Sequence, residues 1–94
     1  MMKKRSHMEI YADILRVTVS GARKSHIVYK ANLNFKIVNK YLEWLRKNGL
    51  LTGTANDDRL FKTTEKGIKY LEHFDGLRDY VDLSSTRAST LSLQ

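Results

Sequence analysis

Lys24-Ser25-His26-Ile27-Val28-Tyr29-Lys30-Ala31-Asn32-Leu33-Asn34-Phe35-Lys36-Ile37-Val38-Asn39-Lys40-Tyr41-Leu42-Glu43-Trp44-Leu45-Arg46-Lys47 is the stretch whose reading sets the fold. Its second half places Val38, Tyr41, Leu42 and Leu45 at i, i+3, i+4 and i+7, the spacing of an apolar stripe along one helix face. Asn34 is a capping residue, so this helix is expected to begin near Asn34. Lys47-Asn48-Gly49 supplies a last-turn cation and a glycine for the position after the C-cap. In the first half, Ser25 can cap a shorter helix to about Ala31, with Ile27, Val28 and Ala31 facing inward. Asn32 separates the two helices, and asparagine is the best non-glycine residue for positive φ. Leu33 follows as an apolar plug. Two short helices joined by a left-handed residue make a helix-turn-helix unit.

The flanks complete an architecture. Residues 7–19 carry Ile10, Ile14, Leu15 and Val17 near helical spacing, and Gly21 is a plausible stop. Downstream, Leu50-Leu51-Thr52 and Leu60-Phe61-Lys62-Thr63 are strand-like runs around a polar tip, Gly53 to Arg59, and read as a β-hairpin. Thr64 then starts a last helix with Glu65 in its first turn. Its stripe runs through Ile68, Leu71, Phe74 and Leu77 to Val81. Gly67 and Gly76 each weaken this helix by about 1 kcal/mol, and Asp75-Gly76 is expected to interrupt it. The order is that of an α+β, mostly α, winged helix-turn-helix: three helices, a hairpin wing and a C-terminal helix. Its divisions are a basic N-terminal arm (1–6), the winged domain (7–63), the C-terminal helix (64–83) and a disordered tail (84–94).

At 94 residues the chain suits one domain with a modest core, and it has no cysteine for disulfides or thiolate metal sites. A reducing cytoplasm is the natural setting. No run of about 18 apolar residues is present to span a membrane. The net charge of +7 is unevenly placed. Residues 1–48 hold eleven Lys and Arg against Glu9, Asp13 and Glu43, whereas residues 49–94 hold six against seven carboxylates. A basic half implies a polyanionic partner. His7, His26 and His73 are isolated, and neither a metal-ligand spacing nor a phosphate-binding glycine loop is found, so no enzyme, cofactor or small-molecule ligand is expected.

With the 38/41/42/45 stripe buried, the opposite face carries Lys36, Asn39, Lys40, Glu43, Arg46 and Lys47. One helix fits the major groove of duplex DNA, and its N-terminal residues meet the base edges. Asn34, Lys36, Asn39 and Lys40 are therefore candidate readers, and Ile37 beside them can touch a thymine methyl. Arg23, Lys24 and Ser25 suit a phosphate clamp, with His26 and Lys30 nearby. Tyr29 fits either a phosphate contact or a half-buried core position. In the wing tip Asn56-Asp57-Asp58-Arg59, only Arg59 has the sign to approach phosphate, with Lys62 behind it. An ordinary solvated helix face is the competing reading. A winged helix used for protein interaction is another, disfavoured by cations over three turns. RNA binding is a third, disfavoured because the aromatics are expected mostly on inward faces.

Met8-Glu9-Ile10-Tyr11-Ala12-Asp13-Ile14-Leu15 and Gly21-Ala22-Arg23-Lys24-Ser25-His26-Ile27 resemble the opening of small archaeal winged-helix DNA-binding proteins. Tyr29-Lys30-Ala31-Asn32-Leu33-Asn34, Lys40-Tyr41-Leu42, Gly49-Leu50-Leu51 and Lys62-Thr63-Thr64-Glu65-Lys66-Gly67 continue the match in order, over roughly residues 5–75. That family comprises transcriptional regulators and chromatin-associated proteins, so the resemblance implies a nucleoid-associated DNA-binding protein. It also implies dimerisation through a long final helix in an antiparallel coiled coil. The final helix here is shorter, which leaves Phe74, Leu77, Tyr80 and Val81 as the candidate homodimer contacts. Regulator and architectural protein both remain open, and Asn34 and Asn39 as base readers favour the regulator.

Overall fold

A computed structural model describes residues 5–53 and 60–80, with Arg78 by its backbone only. The order is α1 (His7–Val17), β1 (Ala22–Arg23), α2 (Lys24–Lys30), α3 (Val38–Lys47), β2 (Leu51–Gly53), β3 (Leu60–Thr63) and α4 (Glu65–Arg78). β3 lies between β1 and β2, antiparallel to both, with Ala22 opposite Phe61 and Leu51 opposite Thr63. This is the α+β winged helix-turn-helix expected from the sequence. Two residues of β1 were not foreseen, since so short a strand has no periodicity to read.

The core is the sum of the apolar stripes. Ile14 and Leu15 of α1, Ile27 of α2, and Val38 and Leu45 of α3 are fully buried, and Leu71 and Phe74 of α4 close over them. Thr18 and Thr63 are the buried polar residues among those described. Their hydroxyls lie 2.8 Å apart, and they bond to the Ile14 and Leu15 carbonyls at 2.9 and 2.7 Å. The end of α1 is thereby fastened to β3 without an unmet polar atom.

Helix ends differ from expectation in several places. α1 stops at Val17 rather than residue 19, with Gly21 at φ +96 after it. Arg5 and Ser6, expected in a basic arm, belong to the fold; residues 1–4 lie outside those described. Ser6 caps α1 in a box with Glu9: its hydroxyl accepts from the Glu9 amide, and the Glu9 carboxylate accepts from the Ser6 amide. α2 begins one residue before its expected cap, with Arg23 at the N-cap and Ser25 inside the helix. α4 passes through Gly76 uninterrupted to Arg78. Gly67 is a requirement rather than a weakness: a Cβ there would meet the Leu50 carbonyl oxygen and the Thr63 methyl within 2.4 and 2.5 Å. The expected end of the last helix, residues 81–83, and the tail at 84–94 lie outside the described residues.

α2 and α3 both end in the same six-residue turn. Leu33 N–H donates to Val28 O and Asn32 N–H to Tyr29 O; Leu50 N–H donates to Leu45 O and Gly49 N–H to Arg46 O. These are Schellman motifs, with Asn32 at φ +55 and Gly49 at φ +75 in the left-handed position. The asparagine turn sets the angle between α2 and the segment that leads into α3.

Candidate nucleic-acid interface

The largest departure from the sequence reading concerns the start of α3. Regular helix begins at Val38, not near Asn34. Residues 34–37 instead form a turn in which the Asn34 carbonyl accepts from both Ile37 and Val38. Asn34 nevertheless makes the bonds of a cap: its side-chain oxygen accepts the Lys36 amide at 2.6 Å and its carbonyl accepts from Val38, so 34–37 is a capped turn that precedes the regular helix. Asn34 and Lys36 thus stand on a lead-in turn, and Asn39 and Lys40 on the first turn of α3.

Lys24, Phe35 and Asn39 meet at this end of the unit. The Lys24 ammonium donates to Asn39 Oδ1 at 2.9 Å and lies 5.5 Å from the centroid of the Phe35 ring. The first residue of α2 is thereby tied to both the lead-in turn and α3. Each asparagine singled out as an adenine reader therefore has its amide oxygen engaged, Asn34 by a backbone amide and Asn39 by Lys24. Bidentate pairing with adenine needs that oxygen as an acceptor, so each would have to share or exchange the bond it now makes.

Around this junction Arg23, Ser25, His26, Lys30, Lys36 and Lys40 are all exposed. The ion pairs Arg5–Asp13 and Arg16–Asp75 lie away from it and do not draw on α3. Arg46 lies along the wing base, 3.3 Å from where a Cβ on Gly53 would stand. The wing tip, with Arg59, lies outside the described residues.

Arg5 holds the unit in register. Its guanidinium pairs with Asp13 of α1 at 2.8 Å and donates to the carbonyls of Ala31 and Asn32 at 2.7 and 2.8 Å. Sequence reasoning missed this brace.

The aromatics correct another expectation. Tyr29 is 80% exposed rather than half-buried, and Phe35, Trp44 and Tyr80 are exposed too. Tyr11, Tyr41, Phe61, Tyr70 and Phe74 do pack in or against the core, so the inward placement holds for most of the aromatics and the exposed rings only weaken that argument against RNA. Trp44, however, has one face covered by Tyr11, with the rings parallel and 4.2 Å apart. Tyr11 also packs edge-on to Tyr41. Burial, with Tyr41 adding to it, raises the Tyr11 phenol pKa; burial and Tyr11 raise that of Tyr70, whose hydroxyl donates to the Met8 carbonyl. Both phenols stay neutral at ordinary pH.

Of the candidate dimer contacts, Phe74 is only 3% exposed and packs in this chain's own core. Leu77 and Tyr80 are exposed beyond it, and Val81 lies outside the described residues. Among those described, no three His, Asp or Glu side chains gather as a metal site, and no helix is long and apolar enough to cross a membrane.

A family model for winged helix-turn-helix proteins matches residues 4–82. The chain is a winged helix-turn-helix protein. An uncharacterized protein of Methanocaldococcus jannaschii is 34% identical over 67 residues, which are 70% of this chain and 66% of that one. The chain thus spans just under two thirds of that archaeal relative's length. Among solved structures, Sso10a-2, a DNA-binding protein from Sulfolobus solfataricus, is 32% identical, with a TM-score of 0.72 over 80% of each chain. Bordetella bronchiseptica BpsR, whose DNA binding is regulated by 6-hydroxynicotinic acid, shares the fold with a TM-score of 0.67 at 16% identity. That likeness covers 79% of this chain and 54% of BpsR.

Proposed function

We propose that this winged helix-turn-helix protein binds double-stranded DNA, with α3 and its lead-in turn in the major groove, and acts at the nucleoid as a transcriptional regulator. The carrying observation is the basic junction of α2, the lead-in turn and α3, where Arg23, Lys24, Lys36 and Lys40 stand together and exposed or half-exposed. Likeness to Sso10a-2 supports the same reading. Lys36 and Lys40 contact phosphate or guanine, Arg23, Lys24 and Ser25 hold the phosphate chain, and Arg59 of the wing reaches the flanking backbone. Asn34 and Asn39 read bases only after exchanging their present bonds for bonds to DNA. Leu77, Tyr80 and Val81 pair two copies, with Phe74 supporting them from the core.

An architectural role is the second reading, and the pre-engaged asparagines favour it. Binding to random and genomic duplex fragments over a salt series separates the two. A regulator enriches particular sequences, whereas an architectural protein binds all of them with one salt slope. A Lys36→Ala/Lys40→Ala double variant is expected to bind more weakly and to lose about one unit of salt slope per lysine that touches phosphate. No binding at low salt refutes the function, and an unchanged double variant refutes the docking face.

A further inference from the structure

Two apolar side chains sit where a purely electrostatic surface has no use for them. Phe35 and Ile37, on either side of Lys36, are 53% and 39% exposed at the leading edge of α3. They belong to the junction itself, since Lys24 lies over the Phe35 ring while bonding Asn39. Leaving them part-exposed forgoes some of the gain of burying apolar surface. Cations surround them, so an acidic or anionic partner with apolar points complements the patch. In the major groove those points exist: the thymine C5-methyl group is the apolar feature of a base-pair edge. Both asparagines beside them already have their amide oxygens engaged, whereas apolar contact with a methyl requires no existing bond to be shared or exchanged.

We propose that Phe35 and Ile37 form a thymine-methyl reader, and that base preference in this protein is set by apolar contact ahead of hydrogen bonding by asparagine. The inference rests on the docking proposed above. Phe35 touches one methyl and Ile37 a second, while Lys36 between them holds the phosphate or a guanine.

The test removes the methyls without altering the pairing. A preferred duplex is selected from a random pool, then prepared with deoxyuridine in place of thymidine. Affinity of the unaltered protein is expected to fall about four-fold for each contacted methyl, the equivalent of one buried methylene at about 0.8 kcal/mol. Phe35→Ala is expected to bind the two duplexes with a reduced difference, and Phe35→Ala/Ile37→Ala to bind them alike. Thermal melting verifies that the variants fold, and the thymidine–deoxyuridine comparison needs no variant at all. Equal binding of the unaltered protein to both duplexes, with the lysine double variant still impaired, overturns the methyl reader and leaves the docking intact. Absence of duplex binding at low salt overturns both. A deoxyuridine effect that persists undiminished in Phe35→Ala/Ile37→Ala also overturns the assignment.

Discussion

The turn after α2 and the turn after α3 have the same hydrogen bonds and opposite means of support. The first has asparagine in the left-handed position and is held from outside by Arg5, whose guanidinium meets both the C-cap and Asn32 carbonyls. The second has glycine there, and its neighbours close on it from α4. Lys66 donates to the Asn48 carbonyl, Thr64 donates to the Gly49 carbonyl, and Gly67 admits the Leu50 carbonyl against its bare Cα. The first turn aims the candidate reading edge; the second joins α3 to the wing and the last helix. The turn that orients the interface is braced by one charged side chain from a distant part of the chain, whereas the turn that joins structural elements has two side-chain hydrogen bonds and, at Gly67, close packing as well.

The second turn is broken by the largest effect. Gly67→Ala puts a methyl within 2.4 Å of a backbone oxygen that cannot swing aside. Overpacking of this kind costs about 3 kcal/mol and outweighs the gain of about 1 kcal/mol from helix propensity. Gly76→Ala in the same helix meets nothing within 4 Å, so it is expected to keep that propensity gain. Thermal or urea unfolding of the two variants gives opposite signs. Equal shifts would mean that Gly67 owes its place to something other than Leu50.

The contrast also accounts for what could be read beforehand. The α3 stripe, the left-handed Asn32 and the glycines at 21 and 49 were legible because each is decided within a few residues. Gly67 was misread for the same reason: its helix propensity is local, but its contact with Leu50 is not. The brace joins residue 5 to residues 31 and 32, and no periodicity reports a bond over that separation. Phe74 fits a continuing stripe equally well as a core or a partner residue, and only the packing of α4 on α1 decides between them. The start of α3 failed differently. Asn34 does cap the turn, through its bond from the Lys36 amide, but the chain takes a further turn before regular helix begins at Val38.

Breaking the first turn has an intermediate effect on stability and a separate one on binding. Arg5→Ala removes an ion pair and two charge-assisted hydrogen bonds. Such bonds contribute about 1.5–3 kcal/mol each when well shielded. Arg5 and Asp13 are each about one-third exposed, so water replaces part of the loss. A net cost of about 1–2 kcal/mol is expected. Arg5→Lys keeps the charge but not the fork that spans two carbonyls, and should recover only part of it. The discriminating measurement is DNA affinity at a temperature where both variants are fully folded. Weaker binding there means that Arg5 acts through the angle of the lead-in turn, and unchanged binding means that it contributes stability alone.

The smallest effects come from exchanging the left-handed residues themselves. Gly49→Ala adds a Cβ that meets only the flexible Lys66 side chain at 3.8 Å, so its cost is conformational, about 1 kcal/mol. Asn32→Gly relieves a milder strain, because asparagine tolerates positive φ better than most residues, and that relief is opposed by the greater freedom of glycine in the unfolded chain. A gain of about 0.5 kcal/mol or less is expected. If asparagine serves only as a turn former, the glycine variant should bind DNA as the unaltered protein does. If the stiffness of this turn helps to aim Phe35, Lys36 and Ile37, the variant should be slightly more stable yet bind less tightly. Stability and affinity would then move in opposite directions at a residue that need not touch DNA, whereas at Gly49 both should fall together.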